Sequence, residues 1–208
     1  MVIGITGSFG GGKSTVLKLF ADRNWRIFDA DKICHELYRQ PDLSAALKAE
    51  FGAEIFTDAG ELDRAALGKI VFAEDTALTR LNRLVMPMFD DKLTEFIARC
   101  RADNAAAAAE IPLLFEGDYQ DRFDATLTVW SQPEIRRERL RKHRHFSAEE
   151  FARREARQLS ADRKLELADF ALINNGDAAE LAAQLDELLD LWAAADEEGG
   201  NRRPITIQ

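Results

Sequence analysis

Only two cysteines, Cys34 and Cys100, occur in this sequence, and their spacing fits neither a zinc site nor a redox pair. A disulfide-built secreted fold is excluded, and a reducing cytoplasm is the expected setting. Long apolar runs are missing too; no stretch approaches the roughly 18 residues of a membrane span. No basic leader or cleavage site precedes the first strand-like run, so a targeting segment is not expected. Basic charge is in deficit. The 28 Lys and Arg face 37 Asp and Glu, a net charge of −9, which argues against general nucleic-acid binding. There is no internal repeat. What remains is a globular composition, 46% hydrophobic and 31% charged, long enough for one sizeable core and an insertion. Oligomeric state is not legible in it.

Glycine is also sparse, 12 in all, yet five crowd into residues 4–16, GITGSFGGGKSTV. Gly7, four residues, then Gly12-Lys13-Ser14 complete the G-x-x-x-x-G-K-[ST] phosphate-loop pattern. The run before it, Val2 to Thr6, is β-branched and apolar and reads as a buried strand. The run after it puts Val16, Leu17, Phe20 and Ala21 on one helical face. A flexible linker would not be bracketed in this way. Glycines let successive N–H groups curl around an anion without a Cβ in the path, and the helix starting near Lys13 adds its positive end. Gly7, Gly10, Gly11, Gly12, Lys13, Ser14 and Thr15 are therefore the expected cradle for ATP. Lys13 reaches the β- and γ-phosphates, and the Ser14 hydroxyl ligates Mg²⁺.

Apolar runs recur at 25–30, 105–111, 125–130 and 170–175. With the first strand they predict five strands separated by helices, a mostly parallel α/β sheet of the phosphate-loop kinase type. The run at 105–111 is contested, because its alanines favour helix; Pro112 ends it, and it is read as a strand. Residues 41–104 read as a mainly helical insertion on the acceptor side, with turn signals at 57–62 and at Pro87. The nucleotide-binding core is then 1–40 with 105–195, carrying a basic lid at about 134–158. The charged, aperiodic tail 196–208 is expected to be flexible.

Three further stretches carry chemistry. The second strand ends in Asp29-Ala30-Asp31, at the carboxyl side where open α/β sheets bind ligands. One of these aspartates is expected to cap the following helix, and Asp31 is the better candidate for a base accepting a hydroxyl proton. Between Arg136 and Arg144 six basic residues face one Glu. That is one-sided for a solvated helix face, and it reads as a lid whose guanidinium groups meet phosphates. After the third strand, Glu116 is a substrate-side candidate, while Glu110 suits either a metal-bound water or a surface position. Asn174-Asn175-Gly176-Asp177 lacks the Lys of the guanine-reading N-K-x-D tetrad, and a GTPase switch is rejected.

Taken in order, TGSFGGGKST, FDADKI, IPLLFE, RERLRKHRHFS, RREARQ and ADFALINNG resemble the dephospho-coenzyme A kinases over about residues 2–190. The resemblance implies transfer of the ATP γ-phosphoryl group to the ribose 3′-hydroxyl of dephospho-coenzyme A, with ATP and Mg²⁺ required. It puts the base at Asp31 and the adenine contact at Asn175. Arg139 matches the first arginine of the lid motif. The family's His-Pro in the helical insertion is Met86-Pro87 here, and its second lid arginine is His143, so Arg139 and then Arg144 are the expected sources of lid charge. The alternatives are another small-molecule or nucleotide phosphate-loop kinase, or a nucleotide-binding regulator without catalysis.

Overall fold

All six residues of strand β1 (Val2–Gly7) are buried, because it runs through the middle of a five-stranded sheet. The others are β2 (Arg26–Asp29), β3 (Ala107–Glu110), β4 (Ala125–Trp130) and β5 (Phe170–Ile173), in the order β2-β3-β1-β4-β5. β1 pairs in parallel with both β3 and β4, with Ile3 beside Ala108 and Ala125, and β5 adds in parallel to β4. The computed structural model describes residues 1–144 and 147–197, without the side chains of residues 72, 75, 143, 144, 148, 150, 196 and 197.

The contested alanine run is a strand. Ala107, Ala108 and Ala109 are fully buried between neighbouring strands, and pairing with β1 outweighs their helical propensity. One face of the sheet is covered by α1 (Lys13–Asp22) and α9 (Ala178–Glu197). Val16, Leu17 and Phe20 from α1, with Leu181, Leu185, Leu188 and Trp192 from α9, form one core with Ile3, Ile5, Leu127 and Val129. Their three- and four-residue spacing is what gives each helix a single apolar stripe.

The chain divides into two units, Met1–Phe28 with Cys100 onward, and Asp29–Arg99. The second contains α2 (Ala30–Leu37), α3 (Pro41–Phe51), α4 (Arg64–Ala73) and most of α5 (Asp75–Ala102). Helix α2, read from sequence with segment 1–40, falls in this second unit. The turn at 57–62 is present, closed by Gly60 N–H to Thr57 O and Thr57 N–H to Glu61 O, both 2.8 Å. Pro87 is not a turn. It lies inside the 28-residue α5, where it removes one backbone donor. The helix continues because Leu81, Val85, Phe89, Leu93, Phe96, Ile97 and Cys100 bury one continuous stripe, and packing of that extent outweighs a helix-breaking cost of about 3 kcal/mol. Residues 198–208, the greater part of the expected tail, lie outside the described residues; Asp196 and Glu197 still end α9.

Candidate active site

β1 delivers its last residue, Gly7, to the carboxyl edge of the sheet, and α1 opens six residues later at Lys13. Between them the chain turns back on itself, with the Gly11 N–H bonded to Ser8 O at 3.0 Å. Gly12 caps α1 in the left-handed region at φ 98°. A Cβ there would also collide with the Asn174 amide, so glycine is required twice over. The Lys13 and Ser14 N–H groups open the helix without intrahelical partners and carry its positive dipole end. Lys13 curls back so that Nζ lies 3.0 Å from Gly7 O and 3.3 Å from Ser8 O. Ser14 and Thr15 are exposed in the first turn.

Asn174 is the residue that sequence reasoning missed. Its buried side chain donates to Gly11 O at 2.9 Å and fastens the loop to the end of β5. Phe170, Leu172 and Asn174 are buried and the residues between them more exposed, the period-2 alternation of a strand. The residues Phe-Ala-Leu-Ile-Asn themselves do not alternate, so no such signal was legible in the sequence. Asn175 points elsewhere, its Oδ1 accepting from the Gln132 N–H at 2.9 Å.

The basic stretch is α6 (Pro133–Arg144), followed by α7 (Ala148–Glu155). It does not behave as one exposed lid surface. Arg136 is 1% exposed. It donates to Ser131 O at 3.1 Å, to Phe9 O of the phosphate loop at 3.3 Å and to Glu155 at 2.6 Å. It also lies over the Phe151 ring, so it locks α6, α7 and the loop together. Leu140 packs where a Cβ on Gly10 would go. Arg139 donates to Asn174 O at 2.9 Å and Gly176 O at 3.2 Å, leaving three of its five N–H donors. Burial pushes its guanidinium below the ordinary arginine range, though an arginine stays charged. Arg141 and Lys142 both pair with Glu138, at 2.9 and 3.1 Å, the mixed-sign surface pattern that the sequence argued against. The side chains of His143 and Arg144 lie outside the described residues.

Glu116 is held from two sides. Its Oε1 lies 3.0 Å from Lys164 Nζ and accepts from the Leu159 N–H at 2.8 Å. Lys164 is fully buried on α8 (Ala161–Leu167) and also donates to Pro112 O at 2.7 Å. Nothing in the sequence signals this, because Leu165 and Leu167 beside it are exposed instead. Glu116 Oε2 is buried without a hydrogen-bond partner among the described residues, leaving one acceptor of the carboxylate unspent. Glu110, at the end of β3, is 9% exposed.

In the second unit the two aspartates separate. Asp29 is the cap of α2, its Oδ1 accepting from the Lys32 N–H at 3.1 Å. Asp31 lies in the first turn and is exposed. Among the described residues no three His, Cys, Asp or Glu side chains converge on a metal site. The Ser14 hydroxyl is a hard oxygen donor, of the kind a divalent ion shares with phosphate oxygens and water. The exposed Ser14 at the mouth of the glycine cradle fits that role. No helix among the described residues is long and apolar enough to cross a membrane.

A family model described as dephospho-CoA kinase matches residues 1–180. The chain is 36% identical to a dephospho-CoA kinase of Agrobacterium fabrum, over 93% of this chain and 99% of that one. It is 34% identical to a dephospho-CoA kinase of Thermobifida fusca, over 89% and 93%. Among solved structures, TT1252 from Thermus thermophilus superposes with a TM-score of 0.78 at 32% identity, covering 92% of this chain and 97% of that one. A shikimate kinase from Acinetobacter baumannii shares the fold alone, with a TM-score of 0.51 at 16% identity over 91% and 93%.

Proposed function

The chain belongs to the dephospho-CoA kinase family, and on that premise we propose how its residues divide the work. The reaction is ATP-dependent phosphorylation of dephospho-coenzyme A at the ribose 3′-hydroxyl, the last step of coenzyme A biosynthesis. The observation that carries the assignment is the family match across residues 1–180, supported by a phosphate loop built between β1 and α1. The cytoplasm is the compartment this reading assigns, in keeping with two free thiols, Cys34 and Cys100.

ATP is the donor, and its phosphates lie in the Gly7–Thr15 loop. Gly7, Gly10, Gly11 and Gly12 keep side chains out of the anion's path, while the opening N–H groups of α1 face it. Lys13 leaves the carbonyls of Gly7 and Ser8 for the β- and γ-phosphates, exchanging two neutral acceptors for anionic ones. Thr15 lines the same turn, and Ser14 holds the magnesium ion. Bound Mg²⁺ neutralises charge on the phosphate oxygens. Asp31 accepts the proton of the acceptor hydroxyl, an exposed carboxylate suited to that exchange. Arg139, with three donors unspent, and Arg144 stabilise the charge that spreads over the transferring group. Asn175 borders the adenine, and the unspent Oε2 of Glu116 faces the acceptor.

The experiment is a coupled ADP-release assay with dephospho-coenzyme A, adenosine, shikimate and nucleoside monophosphates as acceptors. Turnover with dephospho-coenzyme A, and a product carrying a new 3′-phosphate by ³¹P NMR, is the expected result. Preference for any other acceptor overturns the substrate. ATP binding without turnover on any acceptor leaves only the regulator.

A further inference from the structure

Within the helical unit, His35, Tyr38, Arg39, Ser44, Glu61 and Arg64 are among the residues that enclose a cavity of about 280 Å³. Two guanidinium groups and an imidazole face one carboxylate there. Among the described residues neither Arg39 nor Arg64 has a carboxylate at ion-pair distance. Arg64 Nη1 instead contacts His35 Nε2. Two guanidinium groups that outnumber the single Glu61 carboxylate and pair with no carboxylate at ion-pair distance, around a space large enough for a charged fragment, form an anion site.

The cavity adjoins the proposed base. His35 follows Asp31 by four residues on α2, which puts both on one face, one turn apart. Asp31 and Arg64 also act together on two neighbours. Burial and then Asp31 push the Cys34 thiol up to about 11 while Arg64 opposes them, and both charges also bear on the Tyr38 phenol. The volume is below the roughly 300–1,000 Å³ that encloses a whole small molecule, so the cavity suits one charged fragment.

We propose that this cavity binds the diphosphate of the acceptor, the group linking its ribose to the pantetheine arm. Arg39 and Arg64 supply the counter-charge, and the His35 ring and the Ser44 hydroxyl donate hydrogen bonds. This rests on the assignment of dephospho-coenzyme A as substrate and adds the specificity device. Holding the diphosphate one turn from Asp31 presents the ribose of the same nucleotide to the base. It also explains selection against acceptors that have a hydroxyl but no diphosphate, because two cations would then stay unpaired.

The test is steady-state kinetics of Arg39→Gln, Arg64→Gln and Arg64→Lys beside the wild type, varying dephospho-coenzyme A and ATP separately. Each Gln change is expected to raise KM for dephospho-coenzyme A about tenfold to a hundredfold, the worth of one charged hydrogen bond. KM for ATP should stay within about twofold, and Arg64→Lys should recover part of the loss. Arg39 is exposed, so its variant carries the test should Arg64→Gln melt early. Unchanged acceptor KM in a folded Arg39→Gln protein overturns the cavity, as does an equal rise in both KM values. A wild type that ignores dephospho-coenzyme A is a different failure, that of the substrate assignment.

Discussion

Asp29 and Asp31 show how two identical side chains, two residues apart, come to different work. The extended backbone of Asp29, φ −107° and ψ 105°, turns its carboxylate onto the Lys32 N–H, whereas Asp31 is already helical and points to solvent. Asp29→Ala should cost about 1 kcal/mol, the usual loss of an N-cap, read as a shift in the urea midpoint with kcat little changed. Asp31→Asn should do the reverse, lowering kcat on the order of 10²–10⁴-fold with an unchanged midpoint and ATP affinity. If Asp31→Asn moves the midpoint instead, Asp31 is not the base. Lys164 belongs to the same scale. Burial pushes its ammonium below the ordinary lysine range, with Glu116 opposing. Between the folded pKa and the ordinary value near 10.4, the unfolded chain binds more protons than the folded one, so stability from this group rises with pH. Wild type should therefore gain on Lys164→Met as pH climbs through that window, and the gap should be flat well below it. Urea unfolding of both proteins at a series of pH values checks this; a gap that shrinks with rising pH contradicts it.

Helix α6 is an element with two faces, and the charge run hid the difference. Arg136 and Leu140, four apart, are buried at 1% and 5% exposure, while Arg141 and Lys142 stay at the surface with Glu138. The two classes cannot be told apart by counting arginines. What separates them is the phase of the helix against Phe151 and the phosphate loop, and that is set by tertiary packing. A similar limit applies to Pro87, a reliable breaker locally, carried here by a long apolar stripe on α5. Arg136→Leu removes the partner of Glu155, which is itself 30% exposed, together with the bond to Phe9 O. Breaking a buried pair from one side costs about 3–5 kcal/mol, and the loss should appear in the denaturant midpoint and in weaker ATP binding, because Phe9 belongs to the loop. Arg141→Ala should leave the denaturant midpoint close to that of wild type, as is usual for an exposed pair. Equal effects from the two would mean that α6 is a uniform surface after all.

For the whole molecule, the five strands were legible because each is a short apolar run between turn signals, and buried parallel strands look like that. The phosphate loop was legible because its chemistry is contiguous. Asn174, Arg136 and Lys164 were harder to read, since their partners lie 163, 127 and 52 residues away in the chain, and no local pattern names a distant partner. Two of them, Asn174 and Arg136, serve one arrangement: a loop held at the middle of the sheet, tied by Asn174 at Gly11 and by Arg136 at Phe9. A loop so fastened binds its anion with little ordering cost, and nucleotide binding should then raise the stability of the unit that contains it. That unit can be watched alone, because Trp25, Trp130 and Trp192 all lie within Met1–Phe28 or beyond Cys100. At a nucleotide concentration of 100 Kd, linkage gives about 2.7 kcal/mol. For a chain of this size that is roughly 5–11 °C in Tm, followed by tryptophan fluorescence with Mg²⁺ and ATP. Lys13→Ala should melt close to wild type without nucleotide, since the bonds from its ammonium to Gly7 O and Ser8 O go to two neutral carbonyls at the edge of the sheet. With ATP it should lose most of the shift, and its turnover should vanish, because positioning and charge at the phosphates supply nearly all of the catalysis. A Lys13→Ala protein that keeps both the shift and the turnover would take the phosphate loop out of the reaction.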